Sequence, residues 1–213
     1  MGNVKIGDWL SEAWTIISED LVTHILLALI VGLGSGLTGG LLSGPLMGGY
    51  LWIVFNKMKN PSYTPQVGDV GKGFENFVQL FLVAIVGGII ASLGVIGCIV
   101  GVFFTSALVV LALPLVVERN MAFWPAISES MSRTKQSLMG WVVFVLVVGL
   151  LNGLGSAVAV GFLITMPLGM TALAIGYRET YGLSGAAPAA AAPAEPQAPM
   201  APPASGSEGG TTL

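Results

Sequence analysis

Read as apolar and charged positions, the chain contains three long stretches with no Lys, Arg, Asp or Glu. They are Leu21–Asn56, Asn76–Val117 and Gln136–Tyr177, each 36 to 42 residues long. A helix needs about 20 apolar residues to cross a bilayer, so each stretch is too long for one crossing and about right for two. Each also has a glycine-rich middle: GLGSGLTGG, GVIGCIVG and NGLGSAVAVG. Glycine is a poor interior helix residue and a good turn residue. The pattern predicts an all-α integral membrane domain over residues 21–182, with six transmembrane helices arranged as three antiparallel hairpins (21–56, 76–117 and 136–177). The first hairpin is the shortest. Less a turn, it leaves two helices of about 15 to 16 residues, about 24 Å each against a core of about 30 Å. Either the bilayer thins there, or the hairpin is re-entrant, or N-terminal residues extend it.

Two amphipathic segments precede hairpins. In VKIGDWLSEAWTIISEDL, Ile6, Trp9, Leu10, Ala13, Trp14, Ile17 and Leu21 follow a three-four spacing, with Asp8, Glu12 and Glu19 elsewhere. This predicts an interfacial helix over residues 1–20 that anchors Trp9 and Trp14 at headgroup depth. In NMAFWPAISESMSRTKQSL, a weaker stripe carries Trp124, and the basic Arg133 and Lys135 follow it as a positive anchor. Tyr177, Arg178 and Tyr181 form a further interfacial belt where the third stretch ends. From Leu183 the composition shifts abruptly to Ala, Pro, Ser and Gly, which predicts a disordered tail over 183–213 able to meet a cytoplasmic partner.

The basic residues orient the predicted hairpins. Lys5, Lys57, Lys59, Lys72, Arg119, Arg133, Lys135 and Arg178 all fall in the terminal segments or in the connections between hairpins, and the three tips carry none. The positive-inside rule then places both termini in the cytoplasm. Composition agrees with membrane residence: 9% of residues are charged, 54% are hydrophobic and the mean hydropathy is +0.85. A net charge of −3 offers no electrostatic case for nucleic acid. No basic n-region followed by a short apolar core marks a signal peptide, so the later apolar stretches are expected to direct insertion.

Candidate chemistry is sparse. GSGLTG supplies a literal G-x-G-x-x-G at Gly34, Gly36 and Gly39, but it follows an apolar run of helical length, and no acid stands about 20 residues on. The glycines read better as helix packing, because small residues four apart let membrane helices approach closely. Gly32, Gly36, Gly40, Gly44 and Gly48 keep that spacing, as do Gly149, Gly153, Ala157 and Gly161. Pro45, Pro114 and Pro167, each followed by Leu, lie in the second halves of the stretches and are expected to bend helices. The one Cys, Cys98, and the one His, His24, cannot build a zinc site, and the three stretches hold no charged residue. No catalytic, cofactor or metal residue is therefore expected. His24 is expected near the membrane interface.

The segment from Pro114 to Gly182 resembles a broad bacterial family. Its features are Pro114-Leu115, Ala126 and Ser130 on the connecting helix, Pro167-Leu168, and Tyr177-Arg178-Glu179. The family includes YciC-like inner-membrane proteins and the membrane domain preceding some glycerophosphodiester phosphodiesterases. The resemblance implies a six-helix bundle in a bacterial inner membrane and supplies no activity, since the phosphodiesterase catalytic domain has no counterpart here. The expected function is a non-enzymatic scaffold or accessory subunit that packs against lipids and against partner membrane proteins or copies of itself. The alternative is a transporter or channel for a lipid or another uncharged apolar solute.

Overall fold

A computed structural model describes residues 4–96, 99–157 and 159–184; Cys98 and the Ala/Pro tail from residue 185 lie outside the described residues. Within them every regular element is helical. The order is α1 (Ile6–Glu19), α2 (Leu21–Leu37), α3 (Ser43–Lys59), α4 (Phe77–Ile96), α5 (Ile99–Val109), α6 (Ala112–Arg119), α7 (Phe123–Thr134), α8 (Leu138–Ala157) and α9 (Ala159–Tyr181). Short 3₁₀ segments occupy Val67–Phe74 and Lys135–Ser137. Among the described residues four helical runs are long and apolar enough to cross a membrane: Phe77–Gly94, Gly101–Arg119, Phe123–Ala157 and Val160–Tyr181. A fifth arises if α1 and α2, which meet at 102°, are counted as one bent span.

Consecutive helices pack in pairs: α2 on α3, α4 on α5 and α8 on α9. The turn between α2 and α3 falls at Thr38–Leu42, where Gly39 and Gly40 take φ of 60° and 88°. Such left-handed conformations cost glycine nothing and suit a tight reversal. Thr38 closes the turn by donating from Oγ1 to Gly34 O (2.7 Å) and accepting from Leu42 N (3.2 Å).

The sequence expects α3 to be one wall of a hairpin, but the structure makes it the central helix. Ten of its residues, from Gly44 to Phe55, are buried, and α2, α4, α6, α9 and the 3₁₀ segment all pack on it. Glycines permit this enclosure. A Cβ at Gly49 would strike the backbone of Val70, and one at Gly73 would strike Pro45 O. The 67–74 segment thus lies backbone to backbone against α3, although Asp69 and Lys72 make it polar in sequence.

The N-terminal segment forms a helix over Ile6–Glu19, but its apolar stripe turns inward. Trp9, Ala13 and Ile17 are buried. Trp9 is only 2% exposed, tilted against Trp141 (5.5 Å between ring centres) and edge-on to Phe144 (5.6 Å) over Gly176. Its indole packs inside the protein, where α9 presents a glycine beneath it. Trp14 and Trp124 do face outward, at 47% and 62% exposure.

The prolines also act differently from expectation. Pro45 and Pro114 each stand third in a helix, in the first turn, where the missing N–H has no intrahelical partner to lose. Pro45 stands at the start of α3, Pro114 follows the α5–α6 break within the Gly101–Arg119 run, and Pro167 lies inside α9. The break between α5 and α6 is secured from α7. Ser130 Oγ accepts from Leu111 N (3.2 Å) and donates to Leu108 O (2.8 Å). Backbone groups freed in a low-dielectric interior need such replacement partners.

Candidate functional site

One end of the bundle gathers the charged side chains. Arg178, at the end of α9, grips Glu12 of α1 with two hydrogen bonds of 2.6 and 2.8 Å. Lys57 of α3 pairs with Glu19 (3.1 Å) and Asp20 (3.6 Å) at the α1–α2 bend. Glu118, at the end of α6, has a fully buried side chain held by Lys59 Nζ (2.9 Å), Tyr177 Oη (3.3 Å) and Ser184 N (2.7 Å). Tyr181 takes the guanidinium groups of Arg119 and Arg133 on its ring, at 5.0 and 5.2 Å, and its hydroxyl donates to Glu129 (3.3 Å). Helices α1, α3, α6, α7 and α9 are therefore tied together at this end. The belt residues Tyr177, Arg178 and Tyr181 belong to this network. Tyr177 is wholly buried and packs on Phe55, and Lys135 is exposed.

A cleft of about 220 Å³ opens at this end between the 67–74 segment, α3, the start of α4 and the end of α6. Trp52, Lys72, Glu75, Asn76, Glu118 and Asn120 supply its polar and aromatic lining. Lys72 Nζ contacts Glu75 (2.8 Å) and lies 5.9 Å from the centre of the Trp52 ring. That hydrogen bond holds the Lys72 ammonium above its ordinary range. Asn76 Nδ2 donates to Asn120 Oδ1 (2.6 Å), joining the start of α4 to the end of α6. Asn120 takes a left-handed φ of 56° as it ends α6, a conformation asparagine tolerates. Beside the cleft, Phe74, Phe77 and Phe81 stack at 6.1 and 5.5 Å with their planes 16° apart. Tyr63 folds over the same loop and donates to Asp69; burial and the neighbouring carboxylate push its phenol up.

A second polar group lies inside the bundle. His24 of α2, Tyr50 of α3 and Thr171 of α9 are all buried and form a chain: His24 Nδ1 to Tyr50 Oη (2.8 Å), then to Thr171 Oγ1 (3.3 Å). His24 Nε2 is buried without a partner among the described residues. A bare lone pair is cheaper to leave unpaired than an N–H. The donor between His24 and Tyr50 follows the imidazole tautomer, and either hydroxyl can donate between Tyr50 and Thr171. The sequence expects His24 at the interface and gives no sign of this chain, because its partners lie 26 and 147 residues away.

The proposed packing glycines divide. A Cβ at Gly44 or Gly48 would collide with Leu80, one at Gly32 would crowd Phe162, and one at Gly161 would strike Gly155. Gly149 has ordinary contact with Phe103, at 3.6 Å. Gly36, Gly40 and Gly153 have nothing within 4 Å, and Ala157 is exposed. Close approaches outside the proposed set occur at Gly49, Gly73, Gly94 and Gly101, and at Gly155. Gly94 faces Gly101 and Thr105, while Gly155 faces Gly161 and Thr165, so the second and third hairpins repeat one close contact. A glycine pair followed four residues later by threonine was the available sequence signal.

No group of three or more His, Cys, Asp or Glu side chains suited to a metal occurs among the described residues. No family model matches the chain, and no curated protein or solved structure is significantly similar to it.

Proposed function

We propose that this chain is a multi-pass integral membrane protein, with six crossings and both termini cytoplasmic, that serves as a non-enzymatic scaffold or accessory subunit in a bacterial inner membrane. One observation carries the scaffold reading. Helix α3 is enclosed by α2, α4, α6, α9 and the 67–74 segment, with ten of its residues buried. Outside it, α2, α4 and α8 present rows of exposed apolar side chains, among them Leu33, Leu37, Val78, Ile89, Met139 and Leu154. A surface this apolar suits lipid and other membrane helices. The six-crossing topology takes support from the α2–α3 turn at Gly39–Gly40 and from the charged network at the opposite ends of those helices. Kinship with the YciC-like family is part of the proposal. Two of its motif residues, Ala126 and Ser130, are fully buried, and Ser130 secures the α5–α6 break.

The second reading, movement of a lipid or apolar solute, draws on an apolar groove of about 280 Å³ between α2 and α9, lined by Ala28, Leu29, Gly32, Leu33, Phe162 and Leu163. Native mass spectrometry of the protein extracted mildly from its own membrane separates the two. A fixed stoichiometry with a different membrane protein is expected. A lone species that moves lipid across liposome membranes contradicts the scaffold reading and establishes the second.

A further inference from the structure

The cleft beside Trp52 lies where two apolar runs end. The α4 run begins at Phe77 and the run through α6 ends at Arg119, and the Asn76–Asn120 hydrogen bond joins those ends. If the runs cross a membrane, as proposed above, the cleft sits at headgroup depth. Its accessible charges are one ammonium, Lys72, and one carboxylate, Glu75, because the Glu118 side chain is fully buried and paired with Lys59. Such a balance disfavours a ligand that is only anionic. The Lys72–Glu75 pair lies at the rim, with side chains 44% and 64% exposed, and exposed pairs of this kind exchange partners at little cost. The Asn76–Asn120 bond uses one half of each amide and leaves the Asn120 Nδ2 donor and the Asn76 Oδ1 acceptor to a ligand. Trp52 offers an indole face of the kind that attracts cations.

We infer that this cleft binds a zwitterionic phosphoamine group. Its ammonium meets Glu75 and takes the place of Lys72 over the Trp52 ring, and its phosphate meets Lys72 and the Asn120 amide. The ladder of Phe74, Phe77 and Phe81, with exposed Val78 on the same helix, leads away from the cleft along α4. Acyl chains attached to the phosphate have an apolar surface to follow, so the source favoured is a phosphatidylethanolamine-type lipid. The free headgroup shares the chemistry.

This inference rests on the membrane reading, and the test separates the two. The full chain in a mild detergent is offered equal amounts of dioleoyl phosphatidylethanolamine and dioleoyl phosphatidylglycerol, and the bound lipids are counted by native mass spectrometry. The expected result is retention of the amine lipid by at least about tenfold, as loss of a charge-assisted contact would cost. The surface double variant Lys72→Ala/Glu75→Gln is expected to lose that preference, and Lys135→Ala, outside the cleft, to keep it. Glycerophosphoethanolamine, offered alone, binds comparably if the free solute is the ligand and far more weakly if the lipid is. Equal retention of the two lipids, preference for the anionic one, or a preference that survives the double variant overturns the inference. Alkaline carbonate extraction is run alongside. Release of the protein from membranes would defeat the membrane reading itself, whereas an embedded protein without headgroup preference defeats only this inference.

Discussion

At the residue scale, the His24–Tyr50–Thr171 chain joins three helices inside an apolar core. Tyr50→Phe removes the hydroxyl that bridges the other two. It is expected to destabilise the protein by about 1 kcal/mol, the order found for polar bonds between membrane helices. Unfolding in mixed detergent micelles checks this, and an unchanged midpoint would mean the chain contributes nothing. Tyr63 gives a pH-dependent test outside the spans. Burial and Asp69 raise its pKa in the folded protein. The stability linked to it is therefore fully present below the ordinary tyrosine value of about 10 and is lost as pH rises through the higher folded value. Tyr63→Phe should remove one tyrosinate absorbance step, and that step should lie above the ordinary range. Loss of a step at an ordinary position would contradict the Asp69 contact. Neither group was legible in the sequence. A single histidine in an apolar run has no local signature, and a loop tyrosine announces nothing about a carboxylate six residues on.

At the scale of elements, the sequence shows that residues 1–20 form an amphipathic helix but not what its apolar face meets. The three-four spacing fixes the stripe; only the fold supplies Gly176, Trp141 and Phe144 beneath Trp9. The Glu12–Arg178 pair then sets how α1 lies on α9. Glu12→Arg should loosen α1, read as faster amide exchange over residues 6–19, and adding Arg178→Glu should restore protection. Failure of the reversed pair to restore it would show that apolar packing alone holds α1. Glycine spacing was legible only in part. Periodicity marks which residues share a helix face, as at Gly44 and Gly48, but not which face meets a neighbour. Gly49, one residue on, makes the closer approach because the 67–74 segment packs there. Gly49→Ala forces a Cβ into the Val70 backbone and should cost about 1–3 kcal/mol, as overpacking typically does. Gly36→Ala, with nothing within 4 Å, should be neutral or slightly stabilising. Thermal stability in detergent ranks the two, and equal effects would place the 67–74 segment elsewhere.

At the scale of the whole molecule, the partition of charge along the chain was the most legible feature, because it reflects a solvent boundary rather than a particular contact. The segments between the apolar stretches supply Lys57, Lys59, Glu118 and Glu129, and these converge with Glu12 and Arg178 at one end of the bundle. The number of crossings was less legible: four runs, or five with the bent α1–α2 pair, are long and apolar enough among the described residues, and α3, with 17 residues and buried among its neighbours, is not one of them. The central claim is that the α2–α3 and α8–α9 tips face the side opposite this charged end. In a Cys98→Ser background, single cysteines replace Gly40 and Ala157 at the tips, and Ser62 and Gln136 at the charged end. Intact cells are then treated with a membrane-impermeant maleimide. The account predicts labelling at positions 40 and 157 in intact cells, with 62 and 136 reacting only after permeabilisation. A cysteine at position 40 that reacts only after permeabilisation, beside one at 157 that reacts without it, would contradict the six-crossing scaffold.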